Sequence, residues 1–82
     1  MYYFYILRCS DNSLYSGVTT NPKRRVKEHN FDNVKASKYT RARRPVKLVY
    51  TEKHKSKESA LKREAEVKSW KKKEKEKLIS SN

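Results

Sequence analysis

Apolar and aromatic residues near the start of the chain form two short runs that predict a β-hairpin. Residues 2–9 are rich in aromatic and β-branched side chains, and the run is too short for a buried helix. We therefore predict a strand that is covered on both faces. Asp11 and Asn12 favour a turn, because their side chains hydrogen-bond the nearby backbone. Residues 14–20 then predict the second strand.

The length of this turn decides on which face of the hairpin each tyrosine lies. An odd loop places Tyr5 and Tyr15 on one face, whereas an even loop separates them. On a shared face, the two phenols would converge beside Gly17, the only glycine of the chain. A glycine inside a strand often marks a close approach of another group to the backbone, which suits a ligand site. The sequence leaves both registers open.

The middle of the chain predicts a helix followed by a basic loop. Asn21 is a suitable N-cap and Pro22 suits the first helical position, so we predict a helix from there to about residue 30. Residues 32–45 show no periodicity and predict a loop with a short helical turn. Its cationic and aromatic residues are Lys35, Lys38, Tyr39, Arg41, Arg43 and Arg44.

The rest of the chain predicts a third strand and a long helix. In residues 46–51 an alternating pattern places Val46, Leu48 and Tyr50 on one face of a strand. Residues 56–79 predict a lysine-rich helix that is either continuous or broken near Trp70.

The order of these elements predicts one α+β domain over residues 1–82. The order is β-β-α-β-α, with an extra C-terminal helix if the long helix is broken. We expect a small three-stranded, antiparallel-centred sheet flanked by helices.

Charge narrows the class of partner. The chain has 22 Lys and Arg against 9 Asp and Glu, a formal net charge of +13. Such an excess favours a polyanion, most simply a nucleic acid. A membrane surface is the weaker alternative, because the basic helix lacks a broad apolar face. Cys9 is the only cysteine, so we expect no disulfide-linked partner and a cytoplasmic location.

A carboxylate lies in or beside the apolar stripe of the long helix. Glu64 follows Ala60 by four residues and Leu61 by three, which places it on the same helical face. A buried ionised carboxylate needs a cation, a hydrogen-bond donor or a metal as partner. The alternative is an exposed Glu64 that pairs with Lys68 one turn later.

The first predicted helix carries a second candidate pair. Arg25 and His29 flank Val26, the aliphatic residue that this helix can bury. A guanidinium there could bind a phosphate, and a histidine could transfer a proton near neutral pH. The alternative is that both are ordinary surface residues.

The candidate residues also form an ordered set along the chain. Its members are Tyr3-Phe4-Tyr5, Tyr15-Ser16-Gly17, Arg25, His29 and Glu64. In order and spacing this set resembles the GIY-YIG nuclease domain over most of the chain. It is similar in particular to the small stand-alone members of the UPF0213 group, in which stretches like Lys38-Tyr39-Thr40 also occur.

The resemblance implies a divalent-metal-dependent endonuclease that cuts a phosphodiester bond in DNA, with low sequence specificity or selectivity for DNA structure. Tyr5 and Tyr15 would orient or deprotonate the attacking water, Arg25 would stabilise charge on the phosphate, and His29 would be a helper acid or base. Glu64 would ligate Mg²⁺ or Mn²⁺, which keeps much of its water shell.

Two positions depart from repair-nuclease members of the family. Val18 replaces a lysine, and Glu76 replaces an asparagine.

The basic loop would bind the nucleic acid, and a protein partner could supply specificity. The alternative function is a non-catalytic module that keeps the fold and binds DNA or RNA.

Overall fold

The chain folds into a three-stranded sheet with four helices, and a computed structural model describes residues 1–81. The sheet is antiparallel, and the first strand of the chain lies at its centre, between the second and the third. The elements are β1 (Tyr2–Arg8), β2 (Leu14–Thr19), α1 (Pro22–Phe31), α2 (Lys38–Arg41), β3 (Lys47–His54), α3 (Lys57–Lys68) and α4 (Lys72–Ser80). The predicted α+β class and the order of elements are confirmed.

Short polar side chains begin three of the helices. The side chains of Asn21, Ser37 and Ser56 accept hydrogen bonds from backbone N–H groups in the first turns of α1, α2 and α3. Of the two alternatives for the lysine-rich helix, the broken one is observed, since α3 ends at Lys68 and α4 begins at Lys72.

Side chains of β1 alternate between two apolar clusters. Phe4 and Ile6 pack with Tyr50 and with Val67 of α3. Tyr5, Leu7, Cys9 and Val46 form the second cluster, against which Val26 of α1 packs. Because helices cover both faces, the predicted two-sided burial of this strand is confirmed.

The hairpin has the odd loop. Arg8 pairs with Leu14, which leaves residues 9–13 as the connection. Tyr5 lies opposite Gly17, and Leu7 lies opposite Tyr15. Since side chains two residues apart share a face, Tyr5 and Tyr15 lie on the same side of the sheet.

The predicted alternation of the third strand is wrong. Ile6 of β1 pairs with Tyr50, but the next residue, Leu7, pairs with Leu48, so the register shifts by one residue at Val49. This β-bulge sends Tyr50 to one cluster and Leu48 to the other. The strand also continues to His54, beyond the predicted end at residue 51.

An ion pair fastens α4 to the sheet. The Arg8 guanidinium donates to both Glu76 carboxylate oxygens, at 2.6 and 2.8 Å, and this hydrogen bonding lowers the pKa of Glu76. Arg8 shares its sheet face with Phe4 and Ile6, so Glu76 lies apart from the face that carries Tyr5. Within residues 1–81, no helix has both the length and the apolarity needed to cross a bilayer.

Candidate active site

A cleft of about 630 Å³ opens between the hairpin and the helices α1 and α3. Its lining includes four of the five residues that the sequence nominated for catalysis, which are Tyr5, Tyr15, Arg25 and Glu64. The fifth, His29, lies directly behind Tyr5. The structure therefore brings together residues from β1, β2, α1 and α3 that lie up to 59 positions apart in the sequence.

Tyr5 is deeply buried in the cleft wall, with 2% of its surface exposed. Its hydroxyl lies 3.0 Å from Nε2 of His29. Burial raises the pKa of Tyr5 to about 12, although the nearby Arg25 charge opposes the rise, so the phenol carries its proton at neutral pH.

Gly17 makes room for the Tyr5 hydroxyl. A Cβ atom at this position would lie 2.5 Å from the Tyr5 oxygen and 2.8 Å from Cζ, too close for either to stay in place. The glycine is required here by close approach and not by its backbone angles, since its φ is not positive. This agrees with the sequence argument that a strand glycine marks such an approach.

His29 is fully buried, with 0% of its surface exposed, so the surface interpretation of this residue is wrong. Its Nδ1 lies 2.7 Å from Oγ1 of Thr40, and its ring makes a T-shaped contact with the Tyr15 ring, with centroids 5.3 Å apart. Burial, helped by the positive charge of Arg25, lowers the pKa of His29 to about 4. The imidazole is therefore neutral at neutral pH.

Acid should destabilise the fold through His29. Its pKa falls from about 6.5 in the unfolded chain to about 4 in the fold, so the unfolded state binds more protons between these values. Stability contributed by neutral His29 is complete above pH 6.5 and is lost as the pH falls towards 4. We expect the free energy of unfolding to drop by about 2 kcal/mol between pH 7 and pH 5.

Urea unfolding at both pH values measures this drop in the wild type, His29→Gln and His54→Gln. The charged groups that act on His29 are Arg25, Glu28 and Arg44, and all three remain in these variants. The pH-dependent drop should shrink in His29→Gln and persist in His54→Gln. An undiminished drop in His29→Gln would contradict the assignment.

Arg25 is held at the rim of the cleft by two acceptors. Its Nη1 donates to Oε1 of Glu28 at 3.1 Å and to the Lys35 carbonyl at 2.8 Å. Glu28 also forms longer ion pairs with Arg24 at 3.6 Å and with Lys35 at 3.8 Å. The Glu28 carboxylate thus contacts three cationic side chains, and these four residues together leave a net positive charge at the rim of the cleft. Sequence reasoning missed Glu28, although its spacing of three and four residues from the two arginines is a usable signal.

Glu64 projects from α3 into the cleft lining, with 18% of its side chain exposed. Its Oε2 also lies 3.5 Å from Nζ of Lys68. The sequence offered two interpretations of Glu64, a carboxylate on the apolar side of the helix or one paired with Lys68. Each describes part of what is observed, since Glu64 lines the cleft and also pairs with Lys68.

The single carboxylate of Glu64 is suited to a divalent cation that keeps most of its water ligands, and not to a metal held by several protein side chains. In residues 1–81 there is no cluster of three or more His, Cys, Asp or Glu side chains that could hold a metal. A hard cation such as Mg²⁺ commonly binds through one or two carboxylates plus waters and substrate phosphate oxygens. One accessible carboxylate at an open, cationic cleft meets that requirement.

The basic segment, residues 32–45, packs beside the site and is braced internally. Tyr39 stacks on Tyr15 with ring centroids 5.8 Å apart, and the Arg43 guanidinium lies 3.9 Å from the Tyr39 centroid. Lys35 lines the cleft, while Lys38 is exposed on α2.

Two arginines of this segment donate mainly to neighbouring backbone. Arg44 donates to the carbonyls of His29 and Asp32, at 2.7 and 3.2 Å, and to the Asn33 side chain at 2.8 Å. Arg41 donates to the Asn33 carbonyl at 2.7 Å. These contacts hold the segment on the end of α1, so the structure assigns Arg44 a bracing contact in addition to its predicted place among the nucleic-acid-binding residues.

The fold and the cleft together match a family of nucleases. Residues 1–77 match the model of the GIY-YIG catalytic domain, and the chain belongs to this family. A nuclease domain implies a nucleic-acid substrate, and nucleases of this family generally use divalent metal ions.

Among the relatives, the chain is 49% identical to a UPF0213 protein of Natronomonas pharaonis, over 96% of this chain and 91% of that one. It is 50% identical to a UPF0213 protein of Syntrophus aciditrophicus, over 98% and 91% of the two chains. The solution NMR structure of a UPF0213 protein from Bacillus halodurans is similar with a TM-score of 0.63 and 46% identity, covering 100% of this chain and 86% of that chain.

Proposed function

We propose that this protein is a divalent-metal-dependent endonuclease that hydrolyses a phosphodiester bond in DNA, with low sequence specificity or selectivity for DNA structure. The observation that carries the proposal is the convergence of Tyr5, Arg25 and Glu64 on one cleft, with neutral His29 hydrogen-bonded behind Tyr5. Binding alone would be weakened by a carboxylate in the cleft, whereas phosphodiester hydrolysis uses one.

The rim of the cleft suits a phosphodiester backbone. Arg24, Lys35 and Lys57 line it, and the chain as a whole carries a net charge of +13. Each phosphate that these cations neutralise releases counterions, so binding should weaken steeply with salt. Arg25 is fixed by its acceptors Glu28 and the Lys35 carbonyl, and a guanidinium held there would stabilise the charge that develops on the phosphate in the transition state.

The Tyr5–His29 pair supplies a path for the proton of the attacking water. As the water oxygen bonds to phosphorus, its proton passes to the Tyr5 oxygen while the Tyr5 proton passes to Nε2 of His29. The P–O3′ bond breaks, O3′ takes a proton from solvent, and the products are a 5′-phosphate and a 3′-hydroxyl. A bound phosphate raises the proton affinity of the nearby imidazole, which favours this transfer. Imidazolium then returns its proton to solvent through Tyr5.

Tyr15 has a different place in this scheme. Its ring packs between His29 and Tyr39, which orients its phenol at the cleft without a proton acceptor behind it in residues 1–81. We assign Tyr15 to orientation of the water and Tyr5 to proton transfer.

Glu64 would hold the metal, Mg²⁺ or Mn²⁺. When bound there, such an ion polarises the phosphate and stabilises the leaving oxygen. The Lys68 ammonium, 3.5 Å from Glu64, would have to yield to the cation, which is easy for an exposed, flexible side chain.

Strand cleavage of labelled linear, nicked and branched DNA tests the proposal, in Mg²⁺, in Mn²⁺ and in EDTA. We expect cleavage that needs the metal and leaves 5′-phosphate ends, together with binding that weakens with salt. Folded protein that binds DNA or RNA and cuts none of these substrates would instead assign a non-catalytic nucleic-acid-binding module.

A further inference from the structure

The hydrogen-bond chain of the cleft does not end at His29 but continues into α2. Oγ1 of Thr40 lies 2.7 Å from Nδ1 of His29, and Tyr5 lies on the other side of the same ring. Thr40 and His29 are both 0% exposed, so no solvent reaches this contact. Thr40 in turn lies 2.9 Å from Oγ of Ser37 and 3.3 Å from the Ser37 carbonyl.

One assignment of protons pairs the Tyr5, His29 and Thr40 groups of this hydrogen-bond network entirely within the protein. A neutral imidazole carries one N–H, and the other nitrogen is an acceptor. The Ser37 carbonyl can only accept, so the Thr40 hydroxyl can donate to it and accept from Nδ1–H of His29. Nε2 is then free to accept the phenolic proton of Tyr5.

The opposite tautomer would leave the Tyr5 proton without an acceptor among the described residues. With the proton on Nε2, His29 would donate to the Tyr5 oxygen, and the Tyr5 proton would need another acceptor. No other acceptor lies within hydrogen-bond distance of that hydroxyl in the described part of the chain. The first arrangement pairs this proton within the protein, whereas the second leaves it to water in the cleft, so the contacts among these side chains favour the first arrangement.

We propose that Thr40 is a positioning residue: by accepting a hydrogen bond from Nδ1–H, it holds His29 in the tautomer whose Nε2 accepts the proton of Tyr5. The effect of Thr40 on catalysis rests on the proposed nuclease function. Because Thr40 lies on α2 within the basic segment, the docking of that segment sets the state of the proton-accepting ring. Fixing a histidine tautomer through its second nitrogen is how supporting residues tune such rings elsewhere.

Nitrogen-15 NMR of the imidazole rings reads the tautomer directly and needs no cleavage. The wild type should show His29 protonated at Nδ1, Thr40→Val should lose this preference, and Thr40→Ser should keep it. A wild-type ring protonated at Nε2 would overturn the proposal even if Thr40→Val failed to fold. So would a Thr40→Val ring that stays fully protonated at Nδ1.

Cleavage kinetics test the consequence separately. We expect Thr40→Val to lower kcat by about 10- to 100-fold with little change in KM, and Thr40→Ser to restore most of the rate. Thr51→Val, the same change at an exposed position of β3, is the matched control and should cleave like the wild type. Equal rates in Thr40→Val and Thr51→Val would overturn the positioning role. If the wild type cuts nothing, the nuclease proposal fails, while the NMR result still decides the tautomer.

Discussion

Replacing Glu64 with glutamine should lower DNA cleavage by about a thousandfold, which corresponds to about 4 kcal/mol of transition-state stabilisation. The substitution keeps the size and shape of the side chain but removes the negative charge that a divalent cation requires. Because Glu64 lines the cleft, DNA binding at a given salt concentration should persist or become tighter once a repelling charge is gone.

The control for this variant is Glu66→Gln, the same change two residues along α3. Glu66 is exposed, pairs with Arg63 at 2.9 Å and does not line the cleft. Loss of the partly exposed Glu64–Lys68 pair should cost only a few tenths of a kcal/mol, so both variants should fold. Single-turnover cleavage in Mg²⁺ and Mn²⁺ gives the comparison. Similar rates in the two variants would remove Glu64 from the metal site.

Replacing Tyr5 with phenylalanine should lower the cleavage rate by about a hundredfold to ten-thousandfold, the range typical of positioned proton-transfer groups. The variant keeps the ring in the apolar cluster and deletes the hydroxyl that lies 3.0 Å from His29. Tyr15→Phe should cost less, because we assign the Tyr15 hydroxyl to orientation of the water and not to proton transfer, and its ring contacts with His29 and Tyr39 remain.

Tyr50→Phe is the matched control for a buried tyrosine on the other sheet face. Its hydroxyl donates to Glu52 at 2.7 Å, away from the cleft. Tyr5→Phe leaves a buried ring nitrogen unpaired, so urea unfolding must accompany the rates, with an expected loss of about 1–3 kcal/mol. Combining Tyr5→Phe with His29→Gln should cost little more than either change alone, because the two act as one unit. Additive losses would contradict a shared proton path.

The local signals in the sequence were sufficient for the elements and for the nomination of site residues. Aromatic runs, a turn and helix N-caps at Asn21 and Ser56 are contacts between near neighbours in the chain, so they can be recognised without a fold. The spacing of Tyr5, Tyr15, Arg25 and Glu64 likewise lies in the sequence. It indicated the family that the match over residues 1–77 then showed.

The arrangement of the site depended on contacts between distant residues. The β-bulge at Val49 reassigns Leu48 and Tyr50 to opposite faces because the pairing with β1 shifts by one residue, which no alternation within the strand reveals. The sequence left open whether His29 faces the site or is a surface residue of a basic helix. Its burial arises because Tyr5 and Thr40, 24 and 11 positions away, supply hydrogen-bond partners for both ring nitrogens.

By itself the sequence determined the α+β elements, the cationic character and the set of residues available for chemistry, because these depend on residue types and short spacings. Only the tertiary structure decided that Tyr5 and Tyr15 share a face, that Gly17 leaves room for a phenol, and that Thr40 supports His29. The physical reason is that the burial and the hydrogen bonds of a side chain depend on all the residues around it. Those residues come together only when strands and helices far apart in the chain pack against each other.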